Sequence, residues 1–183
     1  MNGYPERITV DGTDYEINTD FRYALACFDC INDTELSDYE RAYGVLGILY
    51  KIVPENEGEA LRMAIKYLRC GKEESEPRGK PDMDFESDMH YIRSSFRSDY
   101  AIDLNHVSMH WFEFCELLQG LSDASILNRV RDIRNYDLST VKDSKTRQKI
   151  IQAKQEVTLP ERLTREEQDI MDEFFEQLEQ GGG

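Results

Sequence analysis

Positive charge is in short supply in this 183-residue chain: 22 lysines and arginines face 37 aspartates and glutamates, for a formal net charge of −15. Such a balance favours solubility and argues against non-specific nucleic-acid binding, although it leaves room for a local basic face. Long apolar runs are missing too. The richest stretch, Ala42 to Val53, is broken by Gly44, Gly47 and Lys51 and is too short to span a bilayer, so no membrane partner is expected. The opening MNGYPERITV has no charged segment followed by an apolar one, so no secretory signal is expected. A cytosolic protein with its four cysteines reduced is the expectation. There is no glycine-rich phosphate loop, no GxSxG and no HExxH. Neither an enzyme nor a bound cofactor is expected.

What is present reads as helix. Hydrophobic residues make up 39% of the chain, enough for one globular core. The expected fold class is mainly α, a compact multi-helix domain with a small N-terminal β-hairpin. Arg7 to Val10 and Thr13 to Ile17 are β-rich runs joined by Asp11-Gly12, the turn chemistry of a two-residue hairpin. Thr19 is the expected cap of a first helix with Phe21, Ala24, Leu25 and Phe28 inward. Ser37 and Glu40 form a capping box opening a second, whose Val45, Leu46, Ile48, Leu49 and Ile52 place it centrally, with Pro54 ending it. A third has Leu61, Ala64, Ile65 and Leu68 inward and Gly71 as a left-handed stop.

The stretch from Asp84 to Leu121 is the most informative. Phe85, Met89, Ile92, Phe96 and Tyr100 make one helical stripe, and Trp111, Phe114, Cys115 and Leu118 make another, ended by Gly120. A polar connector joins them, with Ser108 the expected cap of the second, so the pair reads as a helical hairpin in the core. Ile126, Leu127, Val130 and Ile133 mark a further helix, and a basic one spans about Asp143 to Val157. The expected organisation is a helical domain over 1–160 containing a polar linker at 72–81. An acidic amphipathic helix follows at 161–180, then a disordered glycine tail at 181–183.

Chemistry-bearing patterns are few. Cys27 and Cys30 have the CxxC spacing used by redox and zinc sites, but no second ligand pair or βαβ context accompanies them, and they read as ordinary buried thiols. His106 and His110 are four apart, yet His106 falls in the connector, so no metal site is expected. Asp82, Asp84, Glu86 and Asp88 sit where negative charge complements a helix dipole.

Charge and apolar surface give the candidate binding residues. Between Arg129 and Lys154, eight cationic side chains stand against three aspartates; Arg129, Arg131, Arg134, Lys145, Arg147 and Lys149 form a candidate partner-binding face. From Glu161 to Gln180, eight carboxylates stand against two arginines. The stripe of Ile170, Met171, Phe174, Phe175 and Leu178 there needs a cover, either the domain itself or another chain.

The ordered set VDGTDYEINTDFR, YLRCGK, DFESDMHYIRSSFRSDYAIDL, HWFEFCELLQGL, IRNYDLSTVKD and KQEVTLP resembles a family of small proteins from tailed phages and prophages of Gram-positive bacteria. Its genes lie between those of the major tail protein and the tape measure. The resemblance covers about Ile8 to Pro160 and implies a tail assembly chaperone. Such a protein would keep the tape-measure protein soluble and help recruit tail-tube subunits. It would act in the host cytoplasm and be absent from the mature virion. A second tail chaperone is a further candidate partner, and self-association is left open; no nucleic acid is expected. A structural tail protein, such as a completion or connector subunit, is the alternative, with a nucleic-acid-binding regulator behind it. No catalytic residues are implied.

Overall fold

The computed structural model describes residues 3–71 and 81–160. Residues 72–80 of the expected linker, the acidic segment 161–180 and the glycine tail lie outside the described residues.

Strands β1 (Arg7–Val10) and β2 (Thr13–Glu16) pair antiparallel, with Arg7 opposite Glu16 and Val10 opposite Thr13. Asp11 and Gly12 take φ of 47° and 78°, as a two-residue turn with both central residues left-handed requires. A two-stranded hairpin is marginal by itself. This one packs β1 on a helix and buries Ile8 and Val10.

Seven helices follow among the described residues: α1 (Phe21–Asn32), α2 (Asp38–Leu49), α3 (Glu57–Leu68), α4 (Phe85–Tyr100), α5 (Trp111–Gln119), α6 (Ile126–Asn135) and α7 (Ser144–Glu156). A short 3-10 turn at Leu138–Thr140 precedes α7. The mainly α class with an N-terminal hairpin is thus what the chain adopts. The Ser37–Glu40 capping box is present with both of its reciprocal bonds. Gly71 takes φ 74° just after α3.

Several local expectations are corrected by long-range pairing. Asp20, not Thr19, caps α1. The Thr19 carbonyl is occupied by the Trp111 amide at 2.8 Å, which holds Thr19 extended. Asp20 accepts from the Arg22 amide at 3.1 Å and from the Ser108 hydroxyl at 2.7 Å. Ser108 is therefore spent on α1, and His110 caps α5 by accepting the Phe112 amide on Nδ1 at 3.0 Å. Helix α2 stops at Leu49, ahead of Pro54, because Tyr50 forms an antiparallel bridge with Ile17. Ile52 is consequently 75% exposed rather than in the core. In α3 the innermost face is Ala60, Ala64, Tyr67 and Leu68, with Leu61 and Ile65 only half-buried.

The Asp84–Leu121 stretch is core, but α4 packs more extensively on α6 than on α5, so it is not a simple hairpin of helices. Phe114 stacks on Phe21, Phe96 and Trp111 at centroid separations of 4.9, 5.2 and 5.6 Å, joining α1, α4 and α5. Between α1 and α2 the approach is tight: a Cβ placed on Gly44 would fall 2.5 Å from Cys30 Sγ.

Helix α4 ends on Ala101, whose φ of 56° is left-handed without the freedom of glycine. Ala101→Gly is expected to raise stability by about 0.5–1 kcal/mol, strain relief outweighing the added chain entropy of the unfolded state. Urea unfolding measures this; a loss of stability would contradict it.

Candidate functional site

Among the described residues, α1, the end of α3, the entry to α4, and α5 converge on a cavity. Phe28, Leu68, Met83, Phe85, Trp111 and Leu118 line a cavity of about 460 Å³. That size falls in the range of sites that take ligand-sized apolar groups. Each wall has a local cause. The stripe of α1 brings Phe28, and Asp84 caps α4 so that Phe85 turns inward. Trp111 is fixed by its indole N–H, which donates to the Leu68 carbonyl at 3.0 Å.

The rim is polar. Arg69, Asp82, Gln119 and Arg131 stand around the opening. Arg131 places Nη2 3.1 Å from Asp82 Oδ2 and Nη1 3.4 Å from Asn128 Oδ1. Its Nε is buried and has no hydrogen-bond partner among the described residues. Burial pushes the Asp82 carboxyl up, but hydrogen bonds from Arg131 and Asn135 outweigh this and hold it below its ordinary value.

Next to this rim lies a buried ion pair. Arg134 donates Nη1 to Asp88 Oδ2 and Nη2 to Asp88 Oδ1, both at 2.7 Å. Asp88 is 1% exposed and Arg134 10%. Arg134 also donates to the Asp82 carbonyl at 2.9 Å and, through Nε, to the Val157 carbonyl at 2.6 Å. The hydrogen bonds to Asp88 raise the guanidinium pKa against the opposing effect of burial. Asp88 lies in the first turn of α4, as expected of a helix-dipole charge, and through Arg134 it also ties α4 to α6 and the end of α7.

The candidate basic face is thereby divided. Arg134 is committed to Asp88 and Arg131 to the groove rim. Arg129, Lys145, Arg147 and Lys149 are exposed on α6 and α7, and none of them forms an ion pair among the described residues. Ile170, Met171, Phe174, Phe175 and Leu178 lie outside the described residues. The groove itself was not anticipated. Its residues read as core stripes, and nothing in their spacing marks where a stripe remains uncovered.

The thiol and imidazole patterns have structural roles. The Cys27 thiol is buried against the Val45 carbonyl at 3.9 Å, and the Cys30 thiol lies 3.6 Å from the Arg41 carbonyl. Burial, with a smaller contribution from Cys30, pushes Cys27 up to about 12. Burial also raises Cys30, and Asp33 adds to the effect. A thiol of that kind carries roughly one part in ten thousand thiolate at pH 8. Iodoacetamide at pH 8 is expected to leave Cys27 unmodified in the folded protein and to modify it in urea. Peptide mass spectrometry reads this, and native labelling at the rate of a free thiol would refute it.

His110 uses both ring nitrogens: Nδ1 accepts at the cap, and Nε2 lies 3.0 Å from the Pro5 carbonyl, to which it must donate. Among the described residues no group of three or more His, Cys, Asp or Glu is placed to hold a metal. No helix among them is long and apolar enough to cross a membrane. The cavity thus combines apolar walls with a rim arginine that is ion-paired to Asp82 and keeps one buried N–H, Nε, without a partner among the described residues.

No curated protein and no solved structure shows significant similarity to the chain. Residues 4–159 match the family described as Bacteriophage Gp15 protein, and the chain belongs to that phage protein family.

Proposed function

We propose that this protein is a tail assembly chaperone of a long-tailed phage, which receives apolar helical segments of the tape-measure protein in its groove and helps recruit tail-tube subunits. The observation that carries this reading is the open aromatic cavity beside Arg131 in an otherwise strongly acidic protein. An amphipathic helix offers anchors at the third, fourth and seventh positions, and a groove of this kind takes such anchors in sequence. A long helical client exposes many of them before assembly. The net charge of −15 keeps a complex with such a client soluble. The exposed Arg129, Lys145, Arg147 and Lys149 offer a second, electrostatic surface for a tail subunit. The protein works in the host cytoplasm and leaves before the virion matures.

Co-expression tests the role. The soluble yield of the tape-measure protein is expected to rise when this chain is present, and to fall back when Leu118→Asp alters the groove wall. Equal yield with and without the chain would overturn the proposal. Its recovery from purified particles by mass spectrometry would favour a structural tail protein instead.

A further inference from the structure

We propose that in the free protein the groove is filled in cis by the chain's own acidic segment, residues 164–180, with Ile170, Met171, Phe174, Phe175 and Leu178 facing Trp111 and Leu118. Three independent observations converge on this occupant.

The first is where the described chain ends. The Val157 carbonyl accepts from Arg134, and the same guanidinium donates to the carbonyl of Asp82, a groove-lining residue. The end of α7, three residues before Pro160, is therefore tied through Arg134 to a residue of the groove rim. The residues from Pro160 to Ile170 span up to ~35 Å extended and ~15 Å if helical, so reach imposes no restriction.

The second is the unsatisfied donor. Arg131 lines the cavity with a buried Nε that has no partner among the described residues. A buried, unpaired guanidinium N–H is costly, and a carboxylate is its best acceptor. The segment supplies Glu166, Glu167, Asp169, Asp172, Glu173, Glu176 and Glu179 around its apolar stripe.

The third is composition. The segment that lies in sequence between the groove residues Cys70 and Pro81, 72–80, reads KEESEPRGK and holds no large apolar side chain. It supplies no side chain of the kind that fills an aromatic cavity. The segment beyond Pro160 carries two phenylalanines, a leucine, an isoleucine and a methionine in helical register.

The consequence is regulation: the free protein masks its own apolar surface, and a client must displace the segment to enter. This concerns the same groove as the chaperone reading but does not depend on it, because occupancy is read without any client.

The test is site-specific photo-crosslinking in the full-length chain at low micromolar concentration, with benzoylphenylalanine introduced at Phe174. Crosslinks within the monomer to peptides containing Met83, Phe85 or Leu118 are expected. Arg131→Glu should lower their yield several-fold, and Arg131→Gln less so, with circular dichroism confirming that both variants fold. Crosslinks found only in a dimer band would assign the groove to a second copy and overturn the proposal. Crosslinks to other surfaces of the monomer, or none, would overturn it as well. Either failure leaves the co-expression result standing, and failure of co-expression leaves the crosslink map standing.

Discussion

Asp88→Ala is expected to destabilise the protein by about 3–5 kcal/mol, although it removes only a small polar side chain. The reason is the partner left behind. Arg134 would keep a full positive charge at 10% exposure, with only the backbone carbonyls of Asp82 and Val157 as acceptors among the described residues. Arg134→Met is expected to cost a similar amount, since it strands a carboxylate that is 1% exposed and, among the described residues, bonded otherwise only to the Asp84 amide at 3.0 Å. Replacing both, as Asp88→Leu with Arg134→Met, removes both charges and is expected to be less damaging than either single change. A double-mutant cycle by urea unfolding checks this. Strictly additive losses would show that the two residues do not act as a pair. The pair also sets where the chain leaves α7, because Arg134 holds the Val157 carbonyl at 2.6 Å. Its loss should therefore reduce crosslinking from position 174 even where the domain remains folded.

Trp111→Ala is expected to cost about 3–5 kcal/mol by opening a cavity at the most aromatic part of the core. The indole sits 5.6 Å from the Phe114 ring, 5.8 Å from Phe28 and 5.9 Å from Phe85, between centroids. Its removal withdraws packing from three helices at once. It also takes the N–H from the Leu68 carbonyl, one of the last carbonyls of α3, which has no onward helical partner. Trp111→Phe separates these contributions. It keeps most of the apolar contact and loses the hydrogen bond, with an expected cost of about 1–3 kcal/mol. Circular dichroism must follow the unfolding, since Trp111 is the only tryptophan. Equal losses for the two variants would show that the hydrogen bond, not the packing, dominates. Under the proposed chaperone role, Trp111→Phe should retain client solubilisation, because the groove keeps an aromatic wall.

The sequence by itself determined the features that short spacing controls. Asp11-Gly12 between β-rich runs specified the hairpin, since both turn residues need positive φ. Ser37 and Glu40 specified the start of α2, and Gly71 a stop after α3, because caps act within one turn of helix. The stripes of Phe96, Trp111, Phe114 and Leu127 were legible as core from helical period alone. Tertiary structure decided whatever depends on residues far apart. Asp88 and Arg134 are 46 positions apart, so no local pattern distinguishes the fully buried carboxylate from the less buried Asp82, Asp84 and Glu86 near the start of α4. Asp20 and His110 replaced Thr19 and Ser108 as caps because the start of α1 pairs with the start of α5, a contact worth more than either local preference. The groove belongs to the same class. A helical stripe announces that it will be covered, but which neighbour covers it, and where the cover stops, is fixed only when the helices pack.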